Sequence, residues 1–214
     1  MAFKILGAAL SPFVRKTRVY FAEKGIPYDL DPIIPFAPPA DWKTKSPLGR
    51  IPCLEHDGRY LPDSSVICQY VEKLHPTPPL YPSDPWEFGR VLWFEEYMDG
   101  GFVANAMAPV FFERIVKKLL RQEPDQARIQ AALDKALPEA CDYLTKEIGD
   151  NEYVVGNRFT IADITVAGAF VNLAHAGVPI DAARWPKLAS YVERIHARPS
   201  FKALIEEERA ALPK

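Results

Sequence analysis

Apolar and polar positions begin with the run Phe3-Lys4-Ile5-Leu6-Gly7, which predicts a short strand. Ser11-Pro12 then opens a helix, with serine as the cap and proline in the first helical position. Ile51-Pro52-Cys53-Leu54-Glu55 has strand composition, but Pro52 lacks the N–H that a central strand donates, so it belongs at a strand start or edge. His56-Asp57-Gly58-Arg59 reads as a tight turn and Tyr60-Leu61 as the returning strand. Asp63-Ser64 next caps a helix whose buried stripe is predicted at Ile67, Tyr70, Val71 and Leu74, spaced i, i+3, i+4, i+7.

The second half reads as entirely helical. A region from Pro85 to about Leu120 is rich in aromatic residues (Trp93, Phe94, Tyr97, Phe102, Phe111, Phe112), with interruptions predicted near Gly100-Gly101 and Pro109. A helix from about Asp125 to Ile148 places Ile129, Leu133, Ala136, Leu137, Ala140 and Leu144 on its apolar face, and Pro138 predicts a local bend. Thr160-Ile161-Ala162-Asp163 resembles a capping box with Asp in place of Glu, and Phe159 is placed to pack on Ile164 as a staple. The helix it opens, to about Ala176, carries almost no charge after Asp163, so it is predicted to be the buried centre of its domain. Trp185-Pro186 starts a helix with Leu188, Tyr191, Val192 and Ile195 on one side, and Ser200 is predicted to cap the last helix.

The periodicities divide the chain. Pro76, Pro78, Pro79, Pro82 and Pro85 exclude regular structure and predict a stiff connector, giving domains 1–76 and 86–214 with a linker at 77–85. A chain of 214 residues, 48% hydrophobic, suffices for two modest domains. The net charge of −2, with acidic and basic residues interspersed, gives no nucleic-acid footprint. No apolar run approaches the roughly 20 residues that span a bilayer, and no cleavable leader is recognisable, so a cytoplasmic protein is expected. Cys53, Cys68 and Cys141 are odd in number and contain no Cys-x-x-Cys, which argues against a disulfide framework or zinc site and for buried thiols.

Three places carry candidate chemistry. A cis Ile51-Pro52 bond would turn the carbonyl and N–H of Ile51 outward to pair with an extended peptide; a trans proline would merely start the strand. Asp63 and Ser64 stand at a helix N-terminus, where free N–H groups and a hydroxyl suit a carboxylate and the Asp63 side chain suits an ammonium group; simple capping is the structural alternative. Ser11 stands at the positive end of another helix, able to donate to an anion, with Arg15 one turn on; it too could be only a cap. A serine hydrolase is disfavoured: Ser11 lacks the Gly-x-Ser-x-Gly elbow, and His56, His75, His175 and His196 form no recognisable triad.

The order strand, Ser-Pro-Phe-Val-Arg-Lys helix, strand, Gly-Arg-Ile-Pro strand, hairpin and Asp-Ser helix resembles the glutathione transferase family, and the resemblance extends over nearly the whole chain. It implies an α/β thioredoxin-like N-terminal domain that binds glutathione, followed by an all-helical C-terminal domain. By the same resemblance Ser11 donates a hydrogen bond to the glutathione thiolate, Ile51 beside Pro52 pairs with the cysteinyl backbone, and Asp63 with Ser64 holds the γ-glutamyl head. Arg50 and Lys43 are candidates for the glycine carboxylate. Phe13 is placed at the glutathione site and toward an electrophile between the domains. The run Pro35-Phe36-Ala37-Pro38-Pro39 stands where several relatives carry a basic residue, and Gly7 and Ala8 offer no hydroxyl where some relatives carry tyrosine. Serine instead of cysteine at position 11 implies conjugation rather than thiol–disulfide exchange. The expectation is therefore a serine-type, bacterial-like transferase: a homodimer without metal, using glutathione as co-substrate with a small hydrophobic electrophile. A glutathione-dependent isomerase or dehalogenase, and a non-catalytic protein-binding relative, are the alternatives.

Overall fold

In the computed structural model, which describes residues 2–213, β1 (Phe3–Leu6) lies between a parallel neighbour, β2 (Tyr28–Asp31), and an antiparallel one, β3 (Cys53–His56). β4 (Arg59–Pro62) completes the four-stranded sheet in the order β2-β1-β3-β4. The β3–β4 turn places Asp57 at φ +51 and Gly58 at φ +73, the two left-handed residues that a twisted two-residue hairpin requires. Pro52 immediately precedes β3, where its missing N–H leaves no gap in the ladder.

The crossover from β1 to β2 is α1 (Pro12–Glu23), capped by Ser11. Its inner face is unusual: Arg15 is fully buried, and Lys16 and Arg18 nearly so, beside Val14, Val19, Tyr20 and Phe21. The short α2 (Trp42–Lys45) precedes β3, and α3 (Ser64–Leu74) follows β4. The stripe of α3 is rotated from its predicted position. Ser64, Ile67, Cys68 and Val71 are buried, whereas Tyr70 is 37% and Leu74 44% exposed. Apolar spacing alone could not rank Cys68 above Tyr70, whose hydroxyl lies 2.8 Å from Nδ1 of His56.

At the end of α1 the Lys24 side chain is fully buried, with its ammonium 2.7 Å from the Glu72 carboxylate. The same ammonium donates to the carbonyls of His75 and Pro78 at 2.6 and 2.7 Å, and Tyr20 donates to Glu72. Glu72 also accepts from the N–H of Leu80, so the start of the proline-rich segment is fastened to the first unit. The chain divides into two compact units after Leu80.

The second unit is helical throughout. A helix over residues 85–119, α4, is not interrupted at Gly100-Gly101 or at Pro109, contrary to expectation. It widens into π-helical winding over Tyr97–Met107 and Phe112–Val116. The next helix over 126–148, α5, widens likewise over Ala132–Ala136. A proline inside an α-helix removes one hydrogen bond and crowds the carbonyl four residues back. Asn105 and Asp134, four residues before Pro109 and Pro138, both lie in widened segments, so a change of winding takes the place of a break.

α6 (Ile161–His175) is buried from Ile161 to Leu173, as its lack of charge predicts. Its capping box is formed, and the fully buried Asp163 carboxylate also accepts from Val154 N–H and the Tyr191 hydroxyl. Burial pushes the Asp163 carboxyl above its ordinary range, against the pull of these hydrogen bonds. Phe159 lies beneath the Arg198 guanidinium, 3.8 Å from its carbon, and beside the Tyr153 ring. α7 (Pro186–His196) buries Leu188, Tyr191, Val192 and Ile195. Ser200 does not cap α8 (Pro199–Ala211): Pro199 takes the first helical position, its fixed φ suiting that place, and Ser200 falls inside the first turn.

Candidate functional site

The candidate residues of the first unit gather at the end of the sheet where β1 finishes and β3 begins. Leu6 pairs with Cys53, so the residues after Leu6 and before Cys53 emerge side by side. A Cβ at Gly7 would stand 3.5 Å from Cβ of Ile51 and 2.5 Å from Cγ2 of Val14, which shows how closely the chain leaving β1, the Ile51 loop and α1 approach one another. The N–H of Asp63 donates to the carbonyl of Pro52 at 3.3 Å, which brings the start of α3 to the same edge.

Ser11 caps α1 with its oxygen, accepting from Val14 N–H at a long 3.4 Å. Its own hydroxyl proton has no acceptor among the described residues. The Ile51–Pro52 peptide is cis, and neither the N–H nor the C=O of Ile51 is hydrogen-bonded among the described residues. Both residues are buried, so these backbone groups form part of a recessed edge.

Asp63 lies at φ +81, a left-handed backbone uncommon for a residue with a side chain. Its Oδ1 accepts from Ser65 N–H at 2.9 Å and Val66 N–H at 3.2 Å. One carboxylate oxygen is thus spent on the helix, while Oδ2 has no hydrogen bond among the described residues. The capping and binding readings are therefore compatible for Asp63. Ser64 is 3% exposed, and its N–H and hydroxyl are unpaired among the described residues.

Around this centre the other candidates differ in what they offer. Phe13 is half-buried in the first turn of α1. Arg50 and Lys43 are exposed, and the Arg50 carbonyl is held by the Ser46 hydroxyl at 2.8 Å. Arg15, expected to lend positive potential from one turn on, is wholly buried within α1's inner face. Pattern reading missed Lys16, whose ammonium donates to Ser65 Oγ at 2.7 Å.

Cys53, close to the site in sequence, is no nucleophile. It is fully buried, and burial pushes its thiol up to about 11. Among the described residues no group of three or more His, Cys, Asp and Glu could hold a metal ion, and no helix is long and apolar enough to cross a membrane.

Comparison with known proteins gives a consistent result. The family model described as Glutathione S-transferase, N-terminal domain, matches residues 6–79, and that described as Glutathione S-transferase, C-terminal domain, matches residues 111–208. Glutathione S-transferase U4 of Arabidopsis thaliana is 26% identical over 200 residues, covering 90% of this chain and 83% of the relative. A glutathione S-transferase crystal structure from Rhodospirillum rubrum F11 superposes with a TM-score of 0.87 at 26% identity, over 94% of this chain and 91% of that one. Another, from Methylobacterium radiotolerans in complex with glutathione sulfonate, has a TM-score of 0.80 at 29% identity, over 96% of this chain and 95% of that one.

Proposed function

The chain belongs to the glutathione S-transferase family, and from that premise we propose that it conjugates glutathione to small hydrophobic electrophiles, with Ser11 as the catalytic hydrogen-bond donor to the thiolate. The observation that carries this reading is the set of unpaired polar groups at one end of the sheet. The Ser11 hydroxyl, the Ile51 N–H and C=O, the Ser64 N–H and hydroxyl, and Asp63 Oδ2 match in kind the thiolate, peptide backbone, carboxylate and ammonium of glutathione.

A free thiol of pKa about 8.5 is only a few per cent ionised at pH 7. Lowering it by about two units takes roughly 2.7 kcal/mol of preferential thiolate stabilisation. A hydrogen bond to a charged group supplies about 1.5–3 kcal/mol and a helix N-terminus about 0.3–1 kcal/mol, so Ser11 at the head of α1 suffices in magnitude. The thiolate then attacks the electrophile, the leaving group departs with the bond's electron pair, and Ser11 remains unmodified. No protein thiol takes part, in keeping with the burial of Cys53.

In this reading Phe13 lines the sulfur end of the site, while Arg50 or Lys43 meets the glycine carboxylate. The protein acts in the cytoplasm as a homodimer. Val66, Tyr70 and Leu74, spaced i, i+4, i+8 on α3, leave an exposed apolar stripe on the first unit, suited to a second copy. Light scattering of the purified protein checks the dimer.

The deciding measurement compares wild type with Ser11→Ala on chlorodinitrobenzene and glutathione. The variant should lose about tenfold to a hundredfold in kcat/KM at pH 7, with the apparent pKa of the bound thiol rising toward that of free glutathione. Equal rates and equal pKa would remove Ser11 from the mechanism. Product analysis over a substrate panel separates the chemistries, since an isomerase or hydrolytic dehalogenase returns free glutathione at each turnover. Absence of glutathione binding in calorimetry would make the chain a protein-binding relative.

A further inference from the structure

Lys16 is 2% exposed and sits in the second turn of α1, yet its ammonium crosses to α3 and donates to Ser65 Oγ at 2.7 Å. Ser65 is tied a second time, through its backbone N–H to Asp63 Oδ1. The turn between β4 and α3 is therefore fixed from two sides: Asp63 N–H to Pro52 C=O, and Ser65 Oγ to Lys16. A desolvated ammonium is costly unless hydrogen bonds hold it, and at this place a neutral side chain could fill the space without that cost. What the lysine adds is a fixed relation between the start of α3 and the helix whose first turn carries Ser11.

We propose that Lys16 is a positioning residue for glutathione. By holding Ser65 it keeps the Asp63–Ser64 turn in register with the head of α1, so that a tripeptide anchored at its γ-glutamyl end presents its sulfur to the Ser11 hydroxyl. This rests on the assignment of Ser11, Asp63 and Ser64 to glutathione. The head group lies a residue away from the sulfur-bearing one, so with the turn out of register a tripeptide whose sulfur still meets Ser11 loses its γ-glutamyl anchor, and the cost falls on its affinity.

The test uses the full chain and two thiols, glutathione and cysteinylglycine, the latter lacking the γ-glutamyl group, with chlorodinitrobenzene as electrophile. Lys16→Met should raise KM for glutathione about tenfold while changing kcat by under about threefold and leaving KM for the electrophile unchanged. With cysteinylglycine the variant should match wild type, because the group that the turn positions is missing. Ser65→Ala should reproduce the effect, the double variant should be no worse than either single one, and Lys16→Arg should restore most of the affinity. Equal losses with both thiols, or additive effects in the double variant, would mean that Lys16 only supports the fold, and the proposal fails. If Lys16→Met does not fold, the glutathione-to-cysteinylglycine ratio of Ser65→Ala decides alone. A wild type that binds glutathione while both variants keep its KM overturns Lys16 only; a wild type that does not bind glutathione overturns the site assignment as well.

Discussion

Gly7 and Val14 approach so closely that a Cβ at position 7 would lie 2.5 Å from Cγ2 of Val14. Val14 is fully buried and its helix is packed on the sheet, so it has no free direction in which to move. No side chain fits at the end of β1 without displacing Val14, and in the proposed mechanism the hydroxyl comes instead from Ser11 at the start of α1. Gly7→Ala is expected to cost about 1–3 kcal/mol by overpacking and to weaken glutathione binding by pushing α1 away from Ile51. Thermal unfolding and calorimetry measure the two effects, and unchanged values in both would contradict the packing argument.

Lys24 holds together three things that would otherwise part: the Glu72 carboxylate and the His75 and Pro78 carbonyls. Lys24→Met leaves Glu72, whose side chain is only 14% exposed, without its cation. The expected loss is about 3 kcal/mol, because removing one partner of a buried pair strands the other. Hydrogen exchange should show the Leu80 amide, held by Glu72, losing protection ahead of the sheet. If Leu80 stays as protected as in wild type, the lysine is not what fastens this segment.

Much of the fold is legible in local signals whose physics is short-ranged. Ser11-Pro12, Asp63-Ser64 and Thr160 to Asp163 mark helix starts because capping depends on a few adjacent residues, and each stands where the sequence places it. Asp57-Gly58 likewise specifies its hairpin through φ alone. The winding of α4 and α5 was not legible, because whether a helix breaks or widens at a proline depends on what the next turn packs against. The rotation of α3 was lost for a similar reason, since Tyr70 and Cys68 are both acceptable core residues by type. Of the candidate site, the helix starts and the proline edge that meet at one end of the sheet were readable, but not that Asp63 spends only Oδ1 on the helix and leaves Oδ2 without a hydrogen bond among the described residues. Lys16 escaped because its role depends on an interaction between residues 49 positions apart.

The acid limb of stability should report on Glu113. Its carboxylate, 1% exposed, accepts from Asp125 N–H at 2.7 Å and pairs with Lys117 at 2.6 Å and Arg128 at 3.1 Å. The Asp125 N–H first, then Lys117, holds its carboxyl below the ordinary value of 4.5. With the folded pKa depressed, the unfolded chain binds more protons in the interval between the two values. This stabilisation is present above the ordinary carboxylate pKa and is lost as pH falls through it toward the folded value. Glu113→Gln is expected to be less stable at pH 7 and to show a flatter decline with acid. Urea unfolding at stepped pH checks this, and parallel curves for the two proteins would refute it.

The cysteines should be silent until the chain unfolds. Burial pushes Cys53 up to about 11 and Cys141 up to about 12, and Cys68 is buried too. At pH 8 a thiol of pKa 11 is thiolate in only about one molecule in a thousand. A chromogenic disulfide reagent should therefore detect no fast thiol in the native protein and all three in denaturant. A rapid native reaction of one equivalent would return a protein thiol to consideration in the chemistry.

The widened turn of α5 has a meaning for the length of the chain. Along this helix the buried positions run Ile129, Ala132, Leu137, Ala140, Cys141, Leu144 and Ile148, and the step of five between Ala132 and Leu137, with Leu133 and Ala136 half-buried inside it, coincides with the widened turn. One residue is looped into the turn without rotating either half away from the core. Residues 132–136 are therefore a place where a one-residue insertion or deletion can be absorbed in mid-helix, the inward faces on both sides keeping their own count. Alignment gaps among relatives should fall there as readily as in the loops.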